Sequence, residues 1–106
     1  MDRHFTATGF VCFEGLVALH WHSKVKAWLP PGGHIMNNED PEQAVIREIK
    51  EELGIDVVVV SDPSNKIQIK YPKQVSTPIT IMIEDIQDPS EGLHQHIDMI
   101  YACQPK

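Results

Sequence analysis

Glu48, Glu51 and Glu52 crowd the short stretch "REIKEELG", residues 47 to 54. On a helix, at 100° per residue, these three carboxylates fall within roughly a 100° arc. Like charges at i,i+3 and i,i+4 cost a few tenths of a kcal/mol each. They also stand in the last turns, where the helix dipole disfavours anions. A bound cation reverses both terms. Ligands that are all oxygen point to a hard ion, Mg²⁺ or Mn²⁺, rather than to zinc. The competing reading is a solvated acidic face, with Arg47 and Lys50 close enough to pair with the acids. The helix alone does not separate the two.

Positioning these groups needs a helix with defined ends. Asp40 stands where an N-cap belongs, Pro41 at the first helical position and Gln43 at the capping-box position. Gly54 is placed to stop the helix as its C′ residue. The spacing therefore predicts a helix over 41–53. Val45, Ile46, Ile49 and Leu53 make an apolar stripe centred roughly 115° from the acidic arc. That stripe can pack on a sheet while the acids face a cleft.

The rest of the chain supplies strands. "FTATGFVCFEGLVALHWH" reads as a β-hairpin, 5–13 and 16–21, turning at Glu14-Gly15. "KAWLPP" is a short strand ended by proline, and Gly32-Gly33 reads as loop. "GIDVVVV" is a strand and "SDPSN" a turn. "KIQIKY" alternates strictly and reads as a half-buried strand ended by Pro72. "PITIMIEDI" is a further strand, "QDPSEG" a turn and "HQHIDMIYAC" the last strand. A β-rich chain with one internal helix is a mixed α+β sandwich rather than a doubly wound sheet.

The 106 residues suffice for a single domain, 1–106, with one modest core. With 42% hydrophobic and 23% charged residues the composition is that of a globular protein. A net charge of −6 argues against long nucleic acid as a partner. A phosphate-bearing substrate is still accessible, because metal held by carboxylates can face phosphates. Cys12 and Cys103 each lie in an apolar run and read as buried free thiols of a reducing compartment. No signal-peptide pattern and no apolar run of membrane-spanning length is present, so the expected location is cytoplasmic, with no membrane partner.

Two H-x-H pairs, His20/His22 and His94/His96, could each put two imidazoles on one strand face and bind zinc. No third or fourth ligand stands at a typical spacing, and ordinary polar lining is the expected role. His96 and Asp98 share a face with Ile100 and are candidates to line a substrate cleft. Trp28 and Tyr101 can stack on a base or pack in the core.

The whole stretch 33–55 decides more than the helix does. Gly33, five residues, Glu39, seven residues, Arg47-Glu48-Ile49, one residue, Glu51-Glu52, one residue, Gly54-Ile55 resembles the Nudix box at every defined position. Seven fixed residues at about 7% each match by chance roughly once in 10⁸ windows, which outweighs the solvated-face reading. "WLPPGG" precedes the box as in many Nudix proteins.

The resemblance implies a Nudix-type α/β/α sandwich with a mixed sheet and a loop–helix–loop motif. It implies Mg²⁺- or Mn²⁺-dependent hydrolysis of a small nucleoside diphosphate derivative. Glu48, Glu51 and Glu52 would be the metal carboxylates and the Gly32 carbonyl a further ligand. Arg47, counted with them in the catalytic set, would hold the carboxylates in place, and Glu39 would be structural. Gly33 and Gly54 would permit the turns before and after the helix. The general base would be a box glutamate, with Glu48 as base or shared ligand, or a later acid among Glu84, Asp85, Glu91 and Asp98. Glu84 is the narrow favourite because it ends a strand. The alternative is a Nudix-like nucleotide-binding or sensor domain without turnover. Nudix domains usually carry a C-terminal helix on the sheet face opposite the box helix, and no such segment follows the last strand here. The expectation is an uncovered apolar face and a possible homodimer.

Overall fold

The computed structural model describes residues 1–106. The helix α1, Pro41–Leu53, forms where its caps demand. The Gln43 N–H donates to Asp40 Oδ1 at 2.8 Å, and the Asp40 N–H donates back to Gln43 Oε1 at 2.9 Å. Two otherwise orphaned donors are thereby satisfied. Gly54, at φ 74°, ends the helix and donates its N–H to the Lys50 carbonyl at 2.9 Å. This left-handed conformation favours glycine.

The long strand β1, Arg3–Phe13, is the spine of a six-stranded mixed sheet. It runs parallel to β8, Gly92–Pro105, in register from Arg3↔Gln95 to Val11↔Cys103. The other edge of β1 carries β2, Leu16–Ala18, and β5, Gly32–His34, both antiparallel. The far edge of β8 carries β6, Val57–Val60, and β7, Thr80–Asp88. A separate ribbon pairs β3, His20–His22, with β4, Ala27–Leu29. The architecture is α+β with a mixed sheet and α1 on one face. No helix is long and apolar enough to cross a membrane.

Alternation along β1 and β8 sorts the two faces. Ala7, Val11, Tyr101 and Cys103 point to α1 and form the core with Ala44, Val45, Ile49 and Val57. Gly9 lies on the same face, and a Cβ there would meet Ile49 Cδ1 at 2.7 Å and Val45 Cγ2 at 2.9 Å. The missing side chain lets the helix sit down on the strand. Gly9→Ala should therefore cost about 1–3 kcal/mol through overpacking, read as a lower urea midpoint at unchanged slope.

Several expectations are corrected. The Glu14-Gly15 turn stands as expected, but the returning strand stops at Ala18, and His20–His22 joins β4 instead. Gly32-Gly33 is strand rather than loop: β5 lies so close to its neighbours that a Cβ at Gly32 would sit 2.6 Å from the Ala7 carbonyl oxygen. "KIQIKY" forms no strand despite its alternation. Both long edges of β8 are already taken, and the Gln74 side chain holds this loop by accepting from Ile67 N–H at 2.7 Å and donating to the Asn65 carbonyl at 2.8 Å. Cys103 is buried but Cys12 is exposed, since Cys12 points away from α1 near the open end of β1. Tyr101, by contrast, packs in the core, one of the two roles expected of it. The face opposite α1 is mixed, with His4, Thr6, Thr8, His94, His96 and Asp98 set among apolar Phe10, Met82, Ile86 and Ile100. Exposed Phe5, Ile81 and Ile83 share the α1 face, beyond the footprint of a helix that packs on β1, β5 and β6.

Candidate functional site

The site is built where β5 runs into the turn that leads to α1. Arg47 organises it through a guanidinium with every arm engaged. Its Nε and Nη2 clasp the two oxygens of Glu39 at 2.7 and 3.0 Å. Its Nη1 donates to Glu48 Oε1 at 2.9 Å and to Glu51 Oε2 at 3.1 Å, and Nη2 also reaches the His34 carbonyl at 3.0 Å. Arg47 holds the Glu39 carboxyl below the usual carboxylate range, and Met36 N–H adds a 3.0 Å bond. The planar fork matches this task in a way an ammonium cannot.

Glu48 and Glu52 lie one helical turn apart and face β5. A Cβ on Gly33 would be 2.5 Å from Glu48 Oε1, so the glycine makes room for the carboxylate. Glu52 Oε2 accepts the Gly32 N–H at 3.0 Å, and His20 Nε2 lies 3.3 Å from the same oxygen. Burial pushes the Glu52 carboxyl up to about 7 against the pull of the Gly32 N–H, and the negative charges of Glu48 and Glu51 add to the rise. Glu51 stays at the rim, with its side chain 58% exposed. An all-oxygen donor set, in which one member resists ionising without a counter-charge, fits a hard divalent cation.

The remaining sequence-predicted residues gather elsewhere. Asp98 is 4% exposed on the sheet face opposite α1. It accepts from Thr6 Oγ1 at 3.1 Å and from Thr8 Oγ1 at 2.9 Å. Glu84 lies in the middle of β7 rather than at a strand end, and its acidic partner is Asp98. Burial, together with the Asp98 carboxylate, pushes Glu84 up to about 7. His96 is on this face beside His34, His4 and His94. Burial, and then those neighbours, holds its pKa below the ordinary histidine value. Asp85 accepts from Gln95 Nε2 at 2.9 Å, and Glu91 is an exposed neighbour of His94. Trp28 is exposed, set edge-on to Trp21 with ring centroids 5.7 Å apart. An open concavity of about 540 Å³, lined by residues between 61 and 77, contains none of these groups.

Glu84 gives a stability test. A carboxyl whose folded pKa is raised from about 4.3 to about 7 stabilises the fold below pH 4, and that contribution is lost as pH rises through 7. Discounted for partial exposure, it amounts to about 1 kcal/mol. Glu84→Gln should remove that share of the decline in urea midpoint between pH 5 and pH 8.5; an unchanged decline would reject the assignment.

Sequence reading missed three contributors: Thr6 and Thr8 hold Asp98, and His34 presents its carbonyl to Arg47 and its ring to the opposite face. His20, read only as one of an H-x-H pair with a polar lining role, touches Glu52. The alternation Thr6-Ala7-Thr8 was a signal for a shared face, but only the β1–β8 pairing reveals what that face meets.

Residues 3–92 match the profile of the NUDIX domain. An 8-oxo-dGTP diphosphatase of Proteus vulgaris is 60% identical over 30 residues, 28% of this chain and 27% of its own length. An RNA pyrophosphohydrolase of Marinomonas sp. (strain MWYL1) is 36% identical over 79 residues, 70% of this chain and 49% of its own. The chain thus spans about half the length, or less, of these curated relatives. The crystal structure of a NUDIX family hydrolase from Clostridium perfringens superposes with a TM-score of 0.81 at 37% identity, covering 100% of this chain and 71% of that one. A UDP-X diphosphatase structure, at 14% identity and a TM-score of 0.63, shares the fold. Box, sheet and profile agree: the chain belongs to the NUDIX domain family.

Proposed function

We propose that this domain hydrolyses the pyrophosphate bond of a small nucleoside diphosphate derivative with the help of Mg²⁺ or Mn²⁺. The observation that carries the reading is the Glu48–Glu52 pair, pressed on the β5 backbone, with Arg47 locking Glu48, and burial and then like charge raising Glu52. Glu48, Glu52 and the Gly32 carbonyl, with Glu51 at the rim, would hold the ion. Bound there, such an ion neutralises phosphate charge and lowers the pKa of water. Arg47 fixes Glu48 in the orientation in which it serves as base or shared ligand. His20 limits the rotation of Glu52, and the Gly32 N–H orients its carboxylate.

The relatives' names supply two substrate classes, 8-oxo-dGTP and RNA. A net charge of −6 favours the small nucleotide over the polymer. Two free thiols, one of them exposed, accord with a reducing, cytoplasmic setting. The test is turnover on a panel of nucleoside triphosphates, 8-oxo-dGTP, dinucleotides and 5′-triphosphorylated RNA, with Mg²⁺ or Mn²⁺ and with chelator. The expected result is chelator-sensitive release of a nucleoside monophosphate from a small member. Metal-dependent stabilisation with no turnover on any member would replace this reading with that of a binding or sensor domain.

A further inference from the structure

Sequence spacing offered His94 and His96 no additional ligands, but the fold supplies them. The parallel register sets His4 directly opposite His96, and β5 places His34 opposite Thr6 on the same face. One ligand atom from each of His4, His34 and His96 falls within 4.8 Å of the others. His34 Nε2 and His4 Nδ1 are 3.2 Å apart. Tetrahedral zinc with Zn–N bonds of ~2.0–2.1 Å requires ligand nitrogens about 3.3 Å apart, and small side-chain adjustments bring the third into place.

A second observation points to an ion. His96 Nε2 is buried and has no hydrogen-bond partner. A buried polar nitrogen without a partner is costly and rare. The neighbouring His94 is not in that condition: its Nδ1 donates to the Gly92 carbonyl at 3.1 Å, and its Nε2 lies 3.6 Å from Glu91. The group His4, Glu91 and His94 is thus an alternative that shares His4 but leaves the orphaned nitrogen unexplained. Imidazole donors select zinc and related borderline ions over Mg²⁺, which takes oxygen. His34 is exposed and gives an ion a route from solvent.

We propose that His4, His34 and His96 form a three-histidine binding site for a zinc-class divalent ion on the sheet face opposite α1, separate from the glutamates of the box. The ion joins β1, β5 and β8, and its fourth position is open to water or to an external ligand. The site stands whether or not the box turns over a nucleotide.

The test is a Zn²⁺ titration of metal-stripped protein against a chromophoric chelator, with Mg²⁺ saturating the carboxylates, and a parallel Co²⁺ titration followed by visible absorption. The expected result is one Zn²⁺ per chain with micromolar or tighter Kd, a tetrahedral Co²⁺ spectrum and a Zn²⁺-dependent rise in Tm. His34→Ala and His96→Asn should each weaken binding by about 10- to 100-fold, with the exposed His34→Ala leaving the metal-free Tm in place. His94→Gln and the double variant Glu48→Gln/Glu52→Gln should bind as wild type does. The proposal is overturned by an absence of saturable binding, by binding that survives His34→Ala, by loss in His94→Gln, or by loss confined to the glutamate variant.

Discussion

Glu52→Gln is expected to lower turnover of the preferred nucleotide by about 10³-fold and, in chelator at alkaline pH, to make the protein more stable. The opposed effects share one cause. Glu52 is pressed against β5, with Glu48 and Glu51 beside it, and burial has raised its carboxyl to about 7. A carboxyl raised from about 4.3 stabilises the fold fully below pH 4, and that contribution disappears as pH climbs through 7. Glutamine stays neutral at every pH and keeps an oxygen for the Gly32 N–H. Wild type and variant should therefore melt together at pH 5 and diverge by pH 8.5, the variant ahead by about 1 kcal/mol after discounting for partial exposure. Mg²⁺ should raise the Tm of wild type more than that of the variant. The measurement is kcat together with Tm at two pH values, with and without Mg²⁺. A variant that keeps a tenth of the wild-type rate would remove Glu52 from the metal site, and matched melting at pH 8.5 would remove the charge strain.

Local chemistry made some of this legible in the sequence. The ends of α1 are set by Asp40, Gln43 and Gly54, whose partners lie within four residues, so the helix could be drawn to the residue. Pairing of Arg47 with Glu48 and Glu51 was legible within the helix, but its clasp on Glu39, eight residues back, was not read from the sequence, and the holding role came from the resemblance. The opposite face was not legible. Thr6 reaches Asp98 across 92 residues of sequence, and His4 meets His96 only because β1 and β8 pair in parallel. Parallel register carries no local turn signal. Alternation misled at "KIQIKY", whose backbone is held by the Gln74 side chain within a loop rather than by a neighbouring strand. Gly32-Gly33 misled in the other direction. Two glycines read as loop, yet here they are strand residues stripped of side chains so that a backbone and a carboxylate can approach.

Arg47→Lys tests whether the carboxylates need a clamp or only a neighbouring positive charge. Arg47 serves five acceptor atoms: both oxygens of Glu39, one each of Glu48 and Glu51, and the His34 carbonyl. Lysine preserves the charge but offers one nitrogen, which cannot span Glu39 and Glu48 together. The Arg47 side chain is 25% exposed, so this pairing ranks above a surface salt bridge and below a fully buried one. A loss of about 2 kcal/mol follows, roughly a 10 °C fall in Tm for a chain of this size. The freed Glu48 should cost kcat about 30- to 100-fold with KM little changed, because positioning acts on the reacting geometry rather than on substrate binding. Glu51→Gln is the control: Glu51 is exposed and gives Arg47 a single bond, so its Tm should move by less than about 2 °C. If Arg47→Lys loses stability but keeps its kcat, the guanidinium is a clamp on the fold, and Glu48 holds its working orientation through α1 and the space left by Gly33 alone.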